Sequence, residues 1–211
     1  MAKERNAEES RNRIITAAEE IFADKGLDGA RVDEIAAAAQ INKRMIYHYF
    51  GGKEELYIEV MRNNYNKILE TLHRANIRGN ALNKVTQFIK NYFYFLAENE
   101  KFVRLIHWEA LHGGRYSRQI LTDISKAIMP ELMQLLEEGV QEGSIRENLD
   151  IRHLIISINA INMMYFSRQD VFDFMWEQEQ DVTAPKALEE RLQHILDFTF
   201  NGILNHKAME G

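Results

Sequence analysis

A short run of the chain carries two adjacent cations and, one helical turn later, a phenol and an imidazole. These residues are Lys43, Arg44, Tyr47 and His48. Such spacing puts all four side chains on one face of an α-helix. Amine, guanidinium, phenol and imidazole groups can all donate hydrogen bonds to phosphate oxygens and to base edges. The run therefore predicts a helix surface whose chemistry suits nucleic acid.

Two short helices joined by a tight turn are needed to hold this surface. Apolar spacing predicts helices at about 32–39 and 43–49, with Ala36 as the small residue where they touch. Gln40 lies at the break, and Asn42 is a good N-cap for the second helix. The pattern is typical of a helix-turn-helix, whose second helix enters the major groove. From spacing alone, an ordinary helical hairpin with a solvated basic face remains an alternative.

The residues that follow resemble the signature of the TetR family of bacterial transcriptional regulators. That signature has an aliphatic residue, Tyr, an aromatic residue and Phe, then a Lys that opens a helix containing Leu. The chain carries it as Ile46, Tyr47, Tyr49, Phe50, Lys53 and Leu56. Upstream positions match as well, so the resemblance covers about residues 10–57. It implies an N-terminal DNA-binding domain.

The resemblance also implies a role for the polar residues of this domain. Lys43, Arg44 and His48 are expected to contact base edges. Tyr47 and Lys53 are expected to hold phosphates, Lys53 with help from its helix N-terminus. The complete predicted DNA-binding set is Arg31, Asn42, Lys43, Arg44, Tyr47, His48 and Lys53.

Three positions depart from the family pattern. Ala30 stands where a threonine usually caps the second helix and touches phosphate, and Arg31 is expected to replace that contact. Gln40 stands where the turn usually has glycine, which costs on the order of 1 kcal/mol in a left-handed conformation. Asn42 replaces a serine or threonine and caps equally well. Within the family, Arg31 and residues 153–172 are similar to the pyrimidine-utilisation regulator subgroup. This similarity does not imply the same ligand.

The rest of the chain predicts an all-α protein of about nine helices. The expected helices lie at about 8–25, 32–39, 43–49, 53–78, 81–98, 101–112, 117–142, 151–170 and 186–206. We expect a helix-turn-helix domain at 1–57 and a larger helical domain at 58–211. The resemblance implies that this second domain senses a ligand and dimerises. The aromatic-rich stretch 169–185 is long for a helix-helix link, and Phe172, Phe174 and Trp176 favour its folding onto the body.

Family resemblance implies a dimer sealed by the last two long helices, whose apolar faces need partners. The residues predicted for that interface are Leu154, Ile158, Ile161, Leu192, Ile195 and Leu196. Packing within one chain is the alternative. The resemblance also implies a small-molecule cavity. Polar or adaptable side chains among apolar neighbours are its candidates: Tyr92, His107, Trp108, His112, Asn159, Asn162 and Met163. For each candidate, a satisfied core or interface role is the alternative.

Composition excludes several kinds of chemistry. The chain has no cysteine, so it has no thiolate metal site and no thiol nucleophile. Glu109 and His112 form one Glu-x-x-His pair, which is too few ligands for a carboxylate-bridged metal site. A glycine-rich phosphate loop, a nucleophile elbow and a His-Glu-x-x-His motif are all absent. We therefore expect no metal, no cofactor and no enzymatic activity; a helical hydrolase and a pure interaction bundle are the rival classes.

The charge and hydropathy patterns limit how the protein can bind DNA and where in the cell it is expected. The formal net charge is −6, so DNA affinity must come from a few well-placed cations rather than from bulk charge. No stretch approaches the length of a membrane span, and we expect a cytoplasmic protein without membrane contact. The expected function is a ligand-responsive repressor. It binds a pseudo-palindromic DNA operator as a homodimer and is released by a small-molecule effector.

Overall fold

A computed structural model of the chain describes residues 2–73, 79–175 and 181–204, which form ten α-helices. The helices are α1 Ala2–Gly29, α2 Val32–Ala38, α3 Arg44–Phe50, α4 Lys53–His73, α5 Ala81–Glu98, α6 Glu100–Leu111, α7 Ser117–Gln141, α8 Ile151–Ser167, α9 Gln169–Met175 and α10 Pro185–Ile203. In these ranges the β-type pairing is a single isolated bridge between Ile145 and Leu204. The predicted all-α fold is confirmed. Of these helices, none has the length and apolar character that crossing a membrane requires.

Helix α9 is the element that the sequence pattern did not predict. It occupies the first part of the 169–185 stretch, which the pattern assigned to a link. The aromatic ring of Phe172 stacks on Tyr165 of α8 with a centroid separation of 6.0 Å, whereas Phe174 is exposed. Trp176 and the predicted ends of the fourth and last helices, residues 74–78 and 205–206, lie outside the described residues.

The helices group into two compact units. The first contains Met1–Lys67 and Lys101–Asp123, and the second contains Ile68–Glu100 and Ile124–Gly211. Helix α6 and the start of α7 therefore belong with the N-terminal helices. The predicted boundary at residue 57 divides the chain by function, and it stays a prediction.

The core of the first unit joins α1 to the two short helices and to α4. Ile14, Phe22, Ile35, Ile46 and Tyr57 are all fully buried. The rings of Phe22 and Tyr57 meet edge to face, with centroids 5.0 Å apart, a favoured aromatic geometry. Since Ile46 is the buried residue of α3, this core fixes which side of α3 faces solvent.

The break near the end of α1 lies at Gly26, where the sequence predicts a helix stop. Gly26 has φ 66° and ψ −179°, a conformation essentially confined to glycine. A Cβ atom here would lie 2.8 Å from the ring of Trp108 on α6. The indole Nε1 of Trp108 donates to the carbonyl of Ala23, at 3.2 Å. Glycine is needed both for the backbone angle and for the close approach of α6.

The second unit is built on contacts among α5, α8 and α10. Ile89 and Phe93 of α5 and Ile195 of α10 are fully buried. Phe93 packs edge to face against Phe166 of α8, with centroids 5.0 Å apart. The start of α8 is capped by Asp150, whose carboxylate accepts the Arg152 N–H.

Candidate nucleic-acid interface

The turn between α2 and α3 has the geometry that the sequence predicts. Gln40 adopts a positive φ of 55°, and the N–H of Ile41 donates to the carbonyl of Ala36 at 3.0 Å. The side-chain oxygen of Asn42 accepts the N–H of Arg44 at 2.9 Å. Asn42 therefore caps the first turn of α3, as expected.

The four residues Lys43, Arg44, Tyr47 and His48, called here the α3 face, are all exposed. Tyr47 keeps 52 % of its surface open to solvent. The buried Ile46 anchors the opposite side of the helix. The structure thus brings these predicted DNA contacts together on one open surface.

Lys43 forms an ion pair with Asp33 of α2, with Nζ and Oδ1 2.9 Å apart. The hydrogen bond and the charge of Asp33 raise the pKa of Lys43, so the amine stays protonated at neutral pH. Both side chains are more than half exposed, and such pairs contribute little to stability. A DNA acceptor can replace Asp33 at small cost.

Lys53 has partners that its sequence position did not reveal. Its Nζ donates to the carbonyls of Leu27 at 2.8 Å and Ala30 at 3.0 Å. These carbonyls end α1 and precede α2, where a cation is favourable. The amine therefore links the start of α4 to the end of α1 and to the segment before α2. One of its three N–H groups remains for another acceptor. The predicted phosphate contact therefore rests on that third N–H.

Arg31 lies immediately before α2 and is exposed. Its backbone is extended, with φ −115° and ψ 137°, and its side chain makes no capping hydrogen bond. Its carbonyl accepts the N–H groups of Glu34 and Ile35. The missing side-chain cap agrees with the departure from the family pattern at Ala30.

Two residues predicted to contact a ligand, His107 and Trp108, lie on α6, and a third, His112, directly follows its end. Trp108 donates to Ala23 of α1 and covers Gly26. His112 Nε2 lies 3.2 Å from the Asp28 carboxylate. The hydrogen bond of His112 to the Trp108 carbonyl raises the pKa of its imidazole most, and the hydrogen bond to Asp28 raises it further. His107 is exposed, with Nδ1 2.7 Å from the Val103 carbonyl. These contacts favour packing of α6 on α1, and a ligand role for the three stays a prediction.

Glu109 is a buried carboxylate that sequence reasoning weighed only as a metal ligand. Its Oε2 accepts the N–H groups of Tyr116 at 3.1 Å and Ser117 at 2.8 Å. Desolvation and the adjacent Glu109 raise the pKa of Tyr57 on α4. The carboxylate thus caps the start of α7 and lies beside α4. The Glu-x-x-His spacing could not show this, because the partners come from other elements.

The remaining predicted ligand contacts belong to the second unit. Tyr92 is buried, and its hydroxyl accepts a hydrogen bond from Asn159 Nδ2 at 2.7 Å; burial raises its pKa. Asn162 is fully buried, and Met163 is half-buried. Tyr92 and Asn159 are therefore already paired with each other, which fits the alternative of satisfied polar residues.

The predicted dimer residues of α10 face the interior of their own chain. Leu192, Ile195 and Leu196 are at most 5 % exposed, because α10 packs against α5 and α8. On α8, Ile158 is buried, whereas Leu154 and Ile161 are half-buried. Apolar side chains on the opposite surfaces of these helices are exposed instead: Ile156, Met164 and Phe198. An interface through α8 and α10 would therefore use these residues.

An open groove of about 710 Å³ runs along the first unit, beside α1 and the end of α2. Its lining includes Glu8, Glu9 and Glu20, with Arg13 and Gln40. None of the predicted ligand residues takes part in it. Three carboxylates disfavour a DNA backbone here, so the α3 face remains the candidate for DNA contact.

Two family models match the chain. Residues 14–60 match the model for bacterial regulatory proteins of the tetR family. Residues 82–199 match the model for a tetracyclin repressor-like C-terminal domain. The chain belongs to the TetR family. The helix-turn-helix built by α2 and α3 is thus the DNA-binding motif of a TetR-family transcriptional regulator.

Two bacterial HTH-type transcriptional regulators resemble the chain over most of its length. The HTH-type transcriptional repressor NicS of Pseudomonas putida is 29% identical over 204 residues, covering 93% of each chain. The HTH-type transcriptional regulator RutR of Escherichia coli is 29% identical over 152 residues, covering 72% of this chain and 71% of RutR. NicS and RutR have the same identity to the chain, so these identities favour neither as the nearer relative. The subgroup suggested by residues 153–172 stays a prediction.

A solved structure of another transcriptional regulator shares the fold. The fatty acid regulator FadR of Bacillus subtilis, solved in complex with stearoyl-CoA, superimposes with a TM-score of 0.68 and 26% identity. The match covers 90% of this chain and 98% of FadR. These relatives are regulators and indicate no enzyme family.

Proposed function

We propose that this TetR-family protein is a ligand-responsive transcriptional repressor. It binds a pseudo-palindromic operator as a homodimer, and a small-molecule effector releases it. The observation that carries the proposal is the α3 face, an exposed set of donors on a helix anchored by Ile46 and capped by Asn42. A solvated hairpin would not need donors gathered on one side of a well-anchored helix.

The α3 face divides into base and phosphate contacts. Arg44 and His48 extend from the exposed side of α3, and with Lys43 they are the proposed base-edge contacts. Tyr47 is the proposed phosphate contact, since a long exposed phenol reaches the walls of the groove. Arg31, Asn42 and Lys53 flank the helix and are proposed to position it on the backbone.

The homodimer is proposed to form through the exposed sides of α8 and α10. Ile156 is 63% exposed, Met164 50% and Phe198 62%, and apolar side chains in this number on two helices favour burial against a second copy. A two-fold axis then presents two copies of α3. Successive major grooves of B-DNA lie about 34–36 Å apart, which accounts for a pseudo-palindromic site.

Release by an effector requires a path from the second unit to the reading helices. α4 contributes residues to both units, and Lys53 at its start bonds to the end of α1. α6 stands in the chain between α5 and α7, which both contribute to the second unit, and Trp108 packs on α1. We propose that an effector shifts α4 and α6 together. A coupling of about 1–3 kcal/mol would lower operator affinity roughly 5- to 150-fold.

Selection of DNA fragments tests the DNA-binding part of this proposal. Fragments of the host genome are selected with the full-length protein, with Arg44→Ala and with Arg118→Ala. Arg118 is an exposed arginine of α7 and is not one of the predicted DNA contacts, so its variant controls for the loss of one charge.

The wild type and Arg118→Ala should enrich the same two-fold symmetric site, and Arg44→Ala should not. Enrichment of no common site by the wild type contradicts the proposed function. Equal enrichment by both variants contradicts the role of the α3 face.

A further inference from the structure

Arg191 of α10 lies against one turn of α8, with no counter-ion among the described residues. One guanidinium N–H donates to the carbonyl of Ile161 at 3.3 Å, and the guanidinium carbon lies 5.2 Å from the centre of the Tyr165 ring. The Nε atom is buried and has no acceptor among the described residues. The side chain is therefore held in place with its buried Nε–H donor unused.

The acidic neighbours of Arg191 on α10 are engaged elsewhere. Glu189 accepts the hydroxyl proton of Tyr94 at 3.0 Å, and Glu190 pairs with Lys186. In the part of the chain that the structure describes, no ion pair includes Arg191. Burial lowers the pKa of its guanidinium, and the nearby Tyr165 offsets part of that effect, as expected for a cation partly removed from water. Such groups are costly unless they are paired.

Asn162 supplies a second unsatisfied group next to the Ile161 carbonyl. It is fully buried, and its Nδ2 donates to the carbonyl of Ile158 at 2.6 Å. Its Oδ1 has no donor among the described residues. If the amide nitrogen and oxygen of Asn162 exchanged places, two oxygen atoms would face each other at the Ile158 carbonyl. The unpaired atom is therefore the oxygen, which accepts a hydrogen bond. Native proteins rarely leave such atoms unpaired without a ligand, a water molecule or an ion.

We infer that the contact between α8 and α10 holds the polar subsite for the effector, which is a small organic acid carrying an N–H or O–H group. Arg191 binds its carboxylate through Nε, and Asn162 Oδ1 accepts the hydrogen bond from its donor. A guanidinium is the side chain best suited to a carboxylate. The inference rests on the proposed function and names the chemical class of its effector.

The stability of the ligand-free protein gives a first test. Arg191→Met removes the charge and keeps an unbranched side chain in place of the arginine stem, so the thermal midpoint should be unchanged or higher. Lys186→Met, on the exposed side of the same helix, is the control for the loss of one charge. A midpoint of Arg191→Met lower than that of the control by more than about 4 °C would assign Arg191 to the fold and overturn the inference.

Ligand binding gives the second test. The probes are 4-hydroxybenzoate, 3-hydroxybutyrate and N-acetylglycine at millimolar concentration, each beside its primary amide, on the full-length protein. At least one acid should raise the thermal midpoint of the wild type, and its amide should not. Arg191→Met should weaken binding of that acid about 10- to 100-fold and Asn162→Leu about 2- to 10-fold, as charged and neutral hydrogen bonds differ. No shift with any acid, or an equal response of Arg191→Met, overturns the inference.

Two further measurements separate this inference from its alternatives. If a carboxylate of a second copy satisfied Arg191, Arg191→Met would weaken the dimer in sedimentation, and that result overturns the inference. Operator binding by Arg191→Met should equal that of the wild type. A wild type that binds no operator refutes the proposed function. If the wild type binds operator, and a neutral compound releases both the wild type and Arg191→Met, the acid effector is refuted and the proposed function stands.

Discussion

The two units of the molecule differ in whether their buried polar atoms have hydrogen-bond partners. In the first unit, Lys53 donates to two carbonyls, Glu109 accepts two backbone N–H groups, and Trp108 donates to α1. In the second unit, Arg191 Nε and Asn162 Oδ1 are buried without a partner in the described residues. Among its described residues the first unit has no such unpaired buried side-chain atom, which suits a DNA-binding surface of fixed shape. We propose that the effector supplies the partners that these two atoms of the second unit lack.

The largest expected effect is on DNA discrimination, from Arg44→Ala on the α3 face. A base contact by arginine is worth about 1–3 kcal/mol of discrimination, and a dimer makes it twice, so the loss is about 2–6 kcal/mol. Operator and random duplexes are compared in fluorescence titrations at fixed salt. Arg118→Ala should keep the wild-type ratio, and a variant of Arg44 that also keeps it would remove Arg44 from base contact.

The next effect is on stability, from Gly26→Ala in the first unit. The substitution forces alanine into a positive φ and sets its Cβ 2.8 Å from the Trp108 ring. We expect a loss of about 2–5 kcal/mol from backbone strain and overpacking together. Gly113→Ala is the control, because its φ is 69° and its Cβ would meet open space; it should lose about 1–2 kcal/mol. Equal losses in urea unfolding would mean that Trp108 does not restrain α1.

Lys53→Met should affect both stability and DNA binding. Removing two charge-assisted hydrogen bonds to Leu27 and Ala30 should cost about 1.5–3 kcal/mol of unfolding free energy. The salt dependence of operator affinity should fall by about one unit if the third N–H reaches a phosphate, as we propose. Lys25→Met removes an exposed pair with Glu34 and should cost at most about 1 kcal/mol. An unchanged stability of Lys53→Met would rule out the positioning role.

The smallest effect is a pH dependence from His112. Its pKa is raised in the folded protein by its bond to the Trp108 carbonyl and by Asp28. Its stabilising contribution is therefore fully present below the unfolded value of about 6.5 and is lost as the pH rises through the folded pKa. His112→Gln and Asp28→Asn should each flatten the stability profile above pH 6.5. A profile as steep as that of the wild type in either variant would remove His112 from the contact between α6 and α1.

Features that depend on neighbouring residues could be predicted from the sequence. The stop at Gly26, the positive φ of Gln40 and the cap from Asn42 each follow from the local chemistry of one residue. The exposed donors of α3 follow from helical periodicity alone. The short helix α9 was missed because seven residues carry too little periodic signal.

Features that depend on distant residues could not be predicted. The partners of Lys53 are 23 and 26 residues away, and Trp108 bonds to a residue 85 positions earlier. Likewise, the apolar pattern of α10 showed that Leu192, Ile195 and Leu196 are buried. It could not show whether its own chain or a second copy buries them. Only the packed structure separates those cases.

The central claim, that an effector and the operator compete through one conformational equilibrium, has a direct test. A compound that induces an operator-driven reporter in cells is titrated calorimetrically against the dimer, with and without operator duplex. Linkage requires that the operator weaken the compound's affinity by the same factor, about 5- to 150-fold, by which the compound weakens operator binding. Equal affinities for the compound in the two titrations would contradict the claim.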